Sequence, residues 1–432
     1  MDEKQRKAEQ FTDVYLSVML LVFLLFPGFQ GYSAITASKF WFFVTLTVLW
    51  LGALAWLRFP GVKLSELWQD KTLRWIGLFL LWVMLSTVFS PWPLSVTALG
   101  GSWKNGAVPL LLYGLTAVFV SRYGRFRRKY IRLLGISVLL CCLVGVTQIA
   151  GGDPLRLYPH GWRFQDAGTL YSGMYLGTVG NTLVLSSVLS LAVPALVLTA
   201  LRYRKWDLLL LFPAGLAVYV LFRTDASSGE LALLGSTALV LPWLCPKKYR
   251  RWILPGEGVA LLGALAYVYT HPSMGGMFSE LSAILCGHVD DSFGSHRIQI
   301  WRAVWDTVGS RPLLGGGTGT LGYRIDVMFS RFVPETGETL FAVVNNAHNE
   351  YLEYIADVGV PGLVFYVGAM VSTVAASRRK GGPVDPVSWG VIAYWIQAFF
   401  ALGLCLSAPY LWIFWGLWIG RNEAHSEHEK ND

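Results

Sequence analysis

Residues 345–359 read NNAHNEYLEYIADVG, a polar opening to an otherwise apolar helical stretch. His348 is the residue type best suited to take a proton near neutral pH, since an unperturbed imidazole titrates at about 6.5. Around it, the amides of Asn345, Asn346 and Asn349 suit the hydroxyls of a polar ligand. The carboxylates of Glu350 and Glu353 suit either the same ligand or the task of orienting the imidazole. Upstream, the stretch SHRIQIWRAVWDTVGSRP carries Arg297 and Arg302. A guanidinium offers a planar fork of donors that matches phosphate oxygens, which the point charge of lysine does not. Proton removal and anion stabilisation can serve one reaction only if the fold brings these segments together.

The elements that must do so are membrane helices. The chain is 54% hydrophobic and 14% charged, with a mean hydropathy of +0.48, which excludes a water-soluble globule. Stretches of about 20 apolar residues, enough to cross a bilayer, recur near 14–29, 36–57, 73–90, 107–121, 133–150, 179–201, 207–222, 230–246, 253–270, 353–376, 387–406 and 409–420. The expected fold is an all-α polytopic membrane protein of about twelve spans. It divides into residues 1–270 (spans one to nine), a long loop over 271–352, spans ten to twelve over 353–420, and a disordered charged tail over 421–432.

A formal net charge of +8 does not point to nucleic acid, because the basic residues cluster on every second side of the spans. Lys4, Arg6 and Lys7 precede the first span, Arg125 to Lys129 (RFRRK) and Arg132 lie between the fourth and fifth, and Arg378, Arg379 and Lys380 follow the tenth. By the positive-inside rule those sides and both termini are cytoplasmic. Residues 151–178, 223–230 and 271–352 are then extracytoplasmic, and a loop as long as the last one points to function. Within it Ile298, Trp301, Val304 or Trp305, and Val308 recur at helical spacing, predicting an amphipathic helix on or near the membrane.

Basic residues that break the inside rule are Arg156, Arg163, Arg223, Arg297, Arg302, Arg311, Arg324, Arg331 and Lys104. The preference for arginine suggests an anionic ligand, with Arg297 and Arg163 the first candidates and Arg223 and Arg302 behind them. The stretch LLGGGTGTLGYR lacks the Lys-Ser/Thr of a nucleotide-binding loop and reads as a turn. His348 has no second histidine one turn on, and no Asp-x-Asp appears, so neither metal nor cofactor is expected. Cys141, Cys142, Cys245 and Cys405 fall in or beside spans, leaving Cys286 without an external partner.

Several segments, in order, resemble the O-antigen ligase and polymerase superfamily: Arg297 to Trp301 (R-x-x-x-W), RPLLGGGTGT, and AHNEYLEYIADVGVPGL with its H-N-x-Y-L. GTVGNTLVLSSVLSLAVP over 177–194 is also similar to a family segment. One departure stands at Ser228, where family members often carry an arginine; Arg223 is the nearby candidate to replace it. The resemblance implies a metal-independent glycosyltransferase of polysaccharide or lipopolysaccharide biosynthesis in the cytoplasmic (inner) membrane. It would move a glycan from undecaprenyl diphosphate to an acceptor hydroxyl on a glycolipid or glycan, with membrane lipids as its other partners. His348 would be the base, Arg297 the catalytic cation, and Arg163, Arg223, Arg297 and Arg302 the donor diphosphate contacts. Asn345, Asn346, Asn349, Glu350 and Glu353 would meet the glycan or acceptor. A repeat-unit polymerase carries the same motifs, and a transporter or flippase for lipid-linked glycans is the reading from another class.

Overall fold

A computed structural model describes residues 3–159, 162–166, 174–203, 205–224, 227–272, 276–333, 337–379 and 384–431. The protein is an all-α polytopic membrane fold, and its described strands form only two short antiparallel hairpins. Helices occupy each of the twelve apolar segments. Among the described residues seven are long and apolar enough to cross a membrane: Gly31–Trp56, Lys71–Val88, Arg128–Ile149, Thr182–Arg202, Lys205–Arg223, Lys247–Thr270 and Glu350–Arg378. Shorter apolar helices, such as Ala107–Tyr123, pack beside them.

Thr182–Arg202 runs through the centre and is buried on nearly every side. Asn181 starts it by accepting the backbone N–H groups of Leu183 and Val184. Around it stand Arg128–Ile149, Leu211–Arg223, Ser227–Leu244 and Pro386–Gln397. The last of these opens with a reciprocal cap between Asp385 and Ser388 and a proline at its first turn. Lys71–Val88 lies along Glu350–Arg379, and Ala107–Tyr123 along Ala408–Asn431. The outward faces are apolar: Leu254, Val259, Leu261 and Leu262 of Lys247–Thr270 are all exposed. Such a surface, unfavourable in water at about 25 cal/mol per Å², is stable against lipid.

Many of the basic residues placed inside by the alternation make ion pairs. Arg127 and Lys129 meet Asp13, Arg125 meets Glu9, and Arg128 and Arg132 meet the fully buried Asp207.

Three expectations change. The segment 387–406 is helical only from Pro386 to Gln397, then passes through a short 3-10 turn into non-helical backbone before the final helix. The break lets Gly403 press on the Glu350 carboxylate, where a Cβ would lie 2.7 Å from its Oε2. Residues 421–431, expected as a disordered tail, continue the Ala408–Asn431 helix. The amphipathic helix Phe293–Val308 buries Ile300, Val304 and Val308 while Trp305 is exposed. Val304 and Val308 thus lie on the expected face, with Trp301 packed beside them and Ile300 buried in place of Ile298, but the face packs on a small core of its own, with Leu321, Ile325, Val327, Val344, Ala347 and Ala356, rather than on lipid alone. The same segment holds the hairpin Met328–Val333 with Glu338–Val343, which went unread in the sequence.

Candidate active site

The site is built on a broken helix. Gly359 interrupts Glu350–Arg379 with φ 76° and ψ 175°, backbone open essentially to glycine alone. A Cβ there would also collide with the Leu313 carbonyl. Breaking a helix frees carbonyls that must find other donors. The glycine-rich run 313–320 supplies them: Gly316 N–H donates to Ala356 O at 3.0 Å and Gly317 N–H to Asp357 O at 2.9 Å, while Val360 N–H turns to Pro312 O at 2.8 Å. Trp82 and Ser86 of the neighbouring helix tie the end of the first half to the run that bridges it, Trp82 Nε1 reaching Leu313 O and Val358 O and Ser86 Oγ reaching Leu314 O and Asp357 O. The run expected to be a turn is a turn, and its work is to splice the broken helix.

Asp357 fixes this splice electrostatically. Its carboxylate accepts Arg324 Nη2 at 3.0 Å and Gly319 N–H at 2.9 Å. Glu350, Glu353 and Asp357 share one face of the helix and all three are buried. Glu350 Oε1 accepts the Tyr366 hydroxyl at 2.9 Å, whereas its Oε2 is buried with no partner among the described residues. A cavity of about 20 Å³ lies between Asn105, Glu350, Glu353, Tyr354, Asp357 and Gly403, which is room for about one water.

Above this layer sits the turn that carries His348. Asn349 caps the helix by accepting Leu352 N–H at 3.0 Å. His348 itself has φ 47°, a left-handed conformation uncommon for a residue with a side chain. Asn345 Oδ1 accepts both Trp103 Nε1 at 2.9 Å and Asn346 Nδ2 at 3.0 Å, and Asn346 Oδ1 accepts His348 N–H at 3.3 Å. Ala347 is held from two directions, its carbonyl by Trp301 Nε1 at 3.0 Å and its N–H by Glu353 Oε2 at 2.6 Å. Glu350 and Glu353, expected to meet a glycan, thus face inward beneath the turn.

The arginines divide. Arg297 lies close enough to His348 for its charge to act on the imidazole; Nη1 donates to Gly294 O at 2.9 Å and Nε is buried without a partner among the described residues. Burial, and secondarily Arg297, hold His348 down to about 4, so the ring is neutral at physiological pH. Burial also lowers Arg297 from its ordinary value, with Glu280 opposing the shift. Arg302 is exposed and paired with Asp291. Arg163 and Arg223 are exposed, and no ion pair or contact among the described residues ties either to His348. Ser228, where an arginine was looked for, is buried within reach of the Gln397 amide at 3.4 Å, which also donates to Ser186.

Beside Asn349 an apolar groove of about 280 Å³ opens between Trp301, Tyr351, Leu352, Ile355, Leu363 and Phe399. Trp103, Asn105 and Asp357 are site residues to which sequence reasoning assigned no role, while Trp301 was read only as part of a helix face and the R-x-x-x-W segment and Arg324 only as one of the external arginines. The cue for the first two was the polar interruption GGSWKNG between two apolar spans.

The helix broken at Gly359, the His348 turn at its start and Arg297 together make up the candidate site. Residues 212–367 match the family model described as O-antigen ligase. That match takes in Arg297, the glycine run, His348 and the helix break. No curated protein matches the chain.

Proposed function

We propose that the protein transfers a glycan from a lipid-linked diphosphate, of the undecaprenyl class, to an acceptor hydroxyl at the extracytoplasmic side of the inner membrane. The observation that carries this reading is a half-buried, neutral His348, under the influence of the Arg297 charge, on a turn fixed from several elements. In the reaction the acceptor oxygen bonds to the anomeric carbon as its proton passes to His348. The bond from that carbon to the diphosphate breaks, and the electron pair leaves with the phosphate oxygen. Arg297 stabilises the charge developing there, worth most in a site closed to water.

The electrostatics suit this order of events. In the empty site the nearby guanidinium weakens His348 as a base. A diphosphate bound beside Arg297 offsets that charge and raises the basicity of the imidazole when the donor is in place. The apolar groove beside Asn349 offers hydrocarbon-compatible surface for the lipid part of the donor. Asn345, Asn346 and Asn349 have their side chains committed to the turn, so their part in sugar binding falls to whatever bonding capacity remains.

The test is to incubate purified protein with a lipid-linked oligosaccharide and candidate acceptors and to identify products by mass spectrometry. Transfer that is abolished by Arg297→Ala and strongly reduced by Arg297→Lys is expected, since the fork and not only the charge is used. No transfer to any acceptor, or full activity in both variants, would overturn the reading. Orientation is tested separately: a cysteine placed at position 335 in a cysteine-free background should react with an impermeant reagent in intact cells, and one at 128 should not.

A further inference from the structure

We infer that Glu353 is a positioning residue, which holds the His348 imidazole in register by accepting the Ala347 N–H from beneath the turn. The inference deepens the proposed function and rests on its assignment of His348 as the base.

Glu353 lies one turn inside the helix that Asn349 caps, and its backbone N–H makes the first bond of that helix, to Asn349 O at 2.9 Å. Its side chain reaches back past the cap rather than out to solvent. Oε2 accepts Ala347 N–H at 2.6 Å and Oε1 accepts Asn105 Nδ2 at 3.3 Å. A carboxylate at a helix N-terminus is well placed, because free N–H groups and the helix dipole favour negative charge there. The residue is only 8% exposed, so the bond to Ala347 is shielded from bulk water.

What the bond holds is a conformation that would not persist unaided. A non-glycine residue with φ near 47° is strained and survives where its surroundings over-determine it. Here the peptide groups on both sides of Ala347 are pinned, by Trp301 from the Phe293–Val308 helix and by Glu353 from below. Asn105, from a distant part of the chain, in turn steadies the other Glu353 oxygen. His348 therefore inherits its place from three separate elements. The charged groups around this arrangement are Arg297 facing the imidazole, and Asp357, Arg324 and Glu350 facing Glu353.

Hydrogen-bond positioning and charge make different demands. Glutamine at 353 keeps an acceptor oxygen for Ala347, and its NH₂ can meet the Asn105 carbonyl oxygen after the Asn105 amide turns over. Leucine keeps the volume and removes the acceptor. The experiment compares wild type, Glu353→Gln, Glu353→Leu and His348→Ala as purified full chains, each checked for a monodisperse fold. Single-turnover rates and donor affinity are measured from pH 4 to 8 with a lipid-linked oligosaccharide.

Glu353→Leu is expected to lose on the order of tenfold to a hundredfold in rate, the scale of a misplaced reacting group, with donor affinity nearly unchanged. Its acidic limb should also move up in pH, because a released His348 regains water and titrates nearer its ordinary value. Glu353→Gln should stay within a few-fold of wild type with the limb in place. Equal damage in Gln and Leu would mean that Glu353 acts through charge, and an undamaged Leu variant would mean that it positions nothing. A rate loss in Leu without movement of the limb would mark a merely structural role. Each of those results overturns the inference while leaving His348 as the base. Full activity in His348→Ala would remove the proposed function itself.

Discussion

Asp357→Ala should destabilise the protein by about 3–5 kcal/mol, the cost of leaving one member of a buried ion pair without its partner. Arg324 and Asp357 expose 13% and 4% of their side chains. At their 3.0 Å separation an effective dielectric constant of about 20 gives an attraction of about 5–6 kcal/mol. Much of that only offsets the desolvation of the two charges, so the pair itself contributes little beyond an apolar replacement. Removing the carboxylate alone strands a guanidinium against Gly316 and orphans the Gly319 N–H. The double variant Arg324→Leu/Asp357→Leu removes the stranded charge and should return to within about 2 kcal/mol of wild type, the remainder being that N–H. Arg302→Ala is the control, since Arg302 and Asp291 expose 60% and 51% and such pairs are worth about 0–1 kcal/mol. The assay is equilibrium unfolding in mixed micelles followed by tryptophan fluorescence. A cost for Asp357→Ala no larger than that of the control would refute the reasoning, as would a double variant equal to the sum of its parts.

Gly359→Ala should cost at least about 1–3 kcal/mol by forcing a side chain into a backbone region it rarely adopts, read in the same unfolding assay; an unchanged midpoint would mean that the helix break is not required. With His348 held near 4, kcat/KM should stay level as pH falls from 7 to about 5 and decline below that, because the neutral ring is the working form of the free enzyme. An inflection near 6.5 would show an ordinary, solvated imidazole. Arg297→Ala should reduce transfer far more than Arg302→Ala, whose side chain already faces Asp291, and comparable losses in initial-rate assays would contradict the division of the arginines.

What could be read from the chain followed the range of the interaction. Apolar run lengths located the helices because lipid imposes a simple length rule. His348 and Arg297 stood out because polar groups beside such helices need a purpose. The long-range facts were hidden: Trp103 meets Asn345, and Asn105 meets Glu353, across sequence separations of 242 and 248 residues. Nothing in local pattern says that Glu353 points inward, since a carboxylate one turn inside a helix can face either way. What the face of Phe293–Val308 packs against, and the burial of Ile300 in place of Ile298, were hidden for a related reason. Left-handed backbone at Gly294, Ser295 and His296 delays the regular helix, and the face is then chosen by the small core around Val304 and Leu321. The hairpin over 328–343 had a readable cue in two short runs rich in aromatic and β-branched residues, MFSRFV and ETLFAV, about a proline and glycine, masked by the apolar helices on either side.

The role of His348 is tested most directly by single-turnover transfer from a lipid-linked oligosaccharide, comparing wild type with His348→Ala under conditions of matched donor occupancy from pH 5 to 9. Loss of at least about a hundredfold in rate, the scale of general-base catalysis, with donor binding little changed, is the predicted result. A variant as fast as wild type would leave His348 as a helix-end residue and contradict the account.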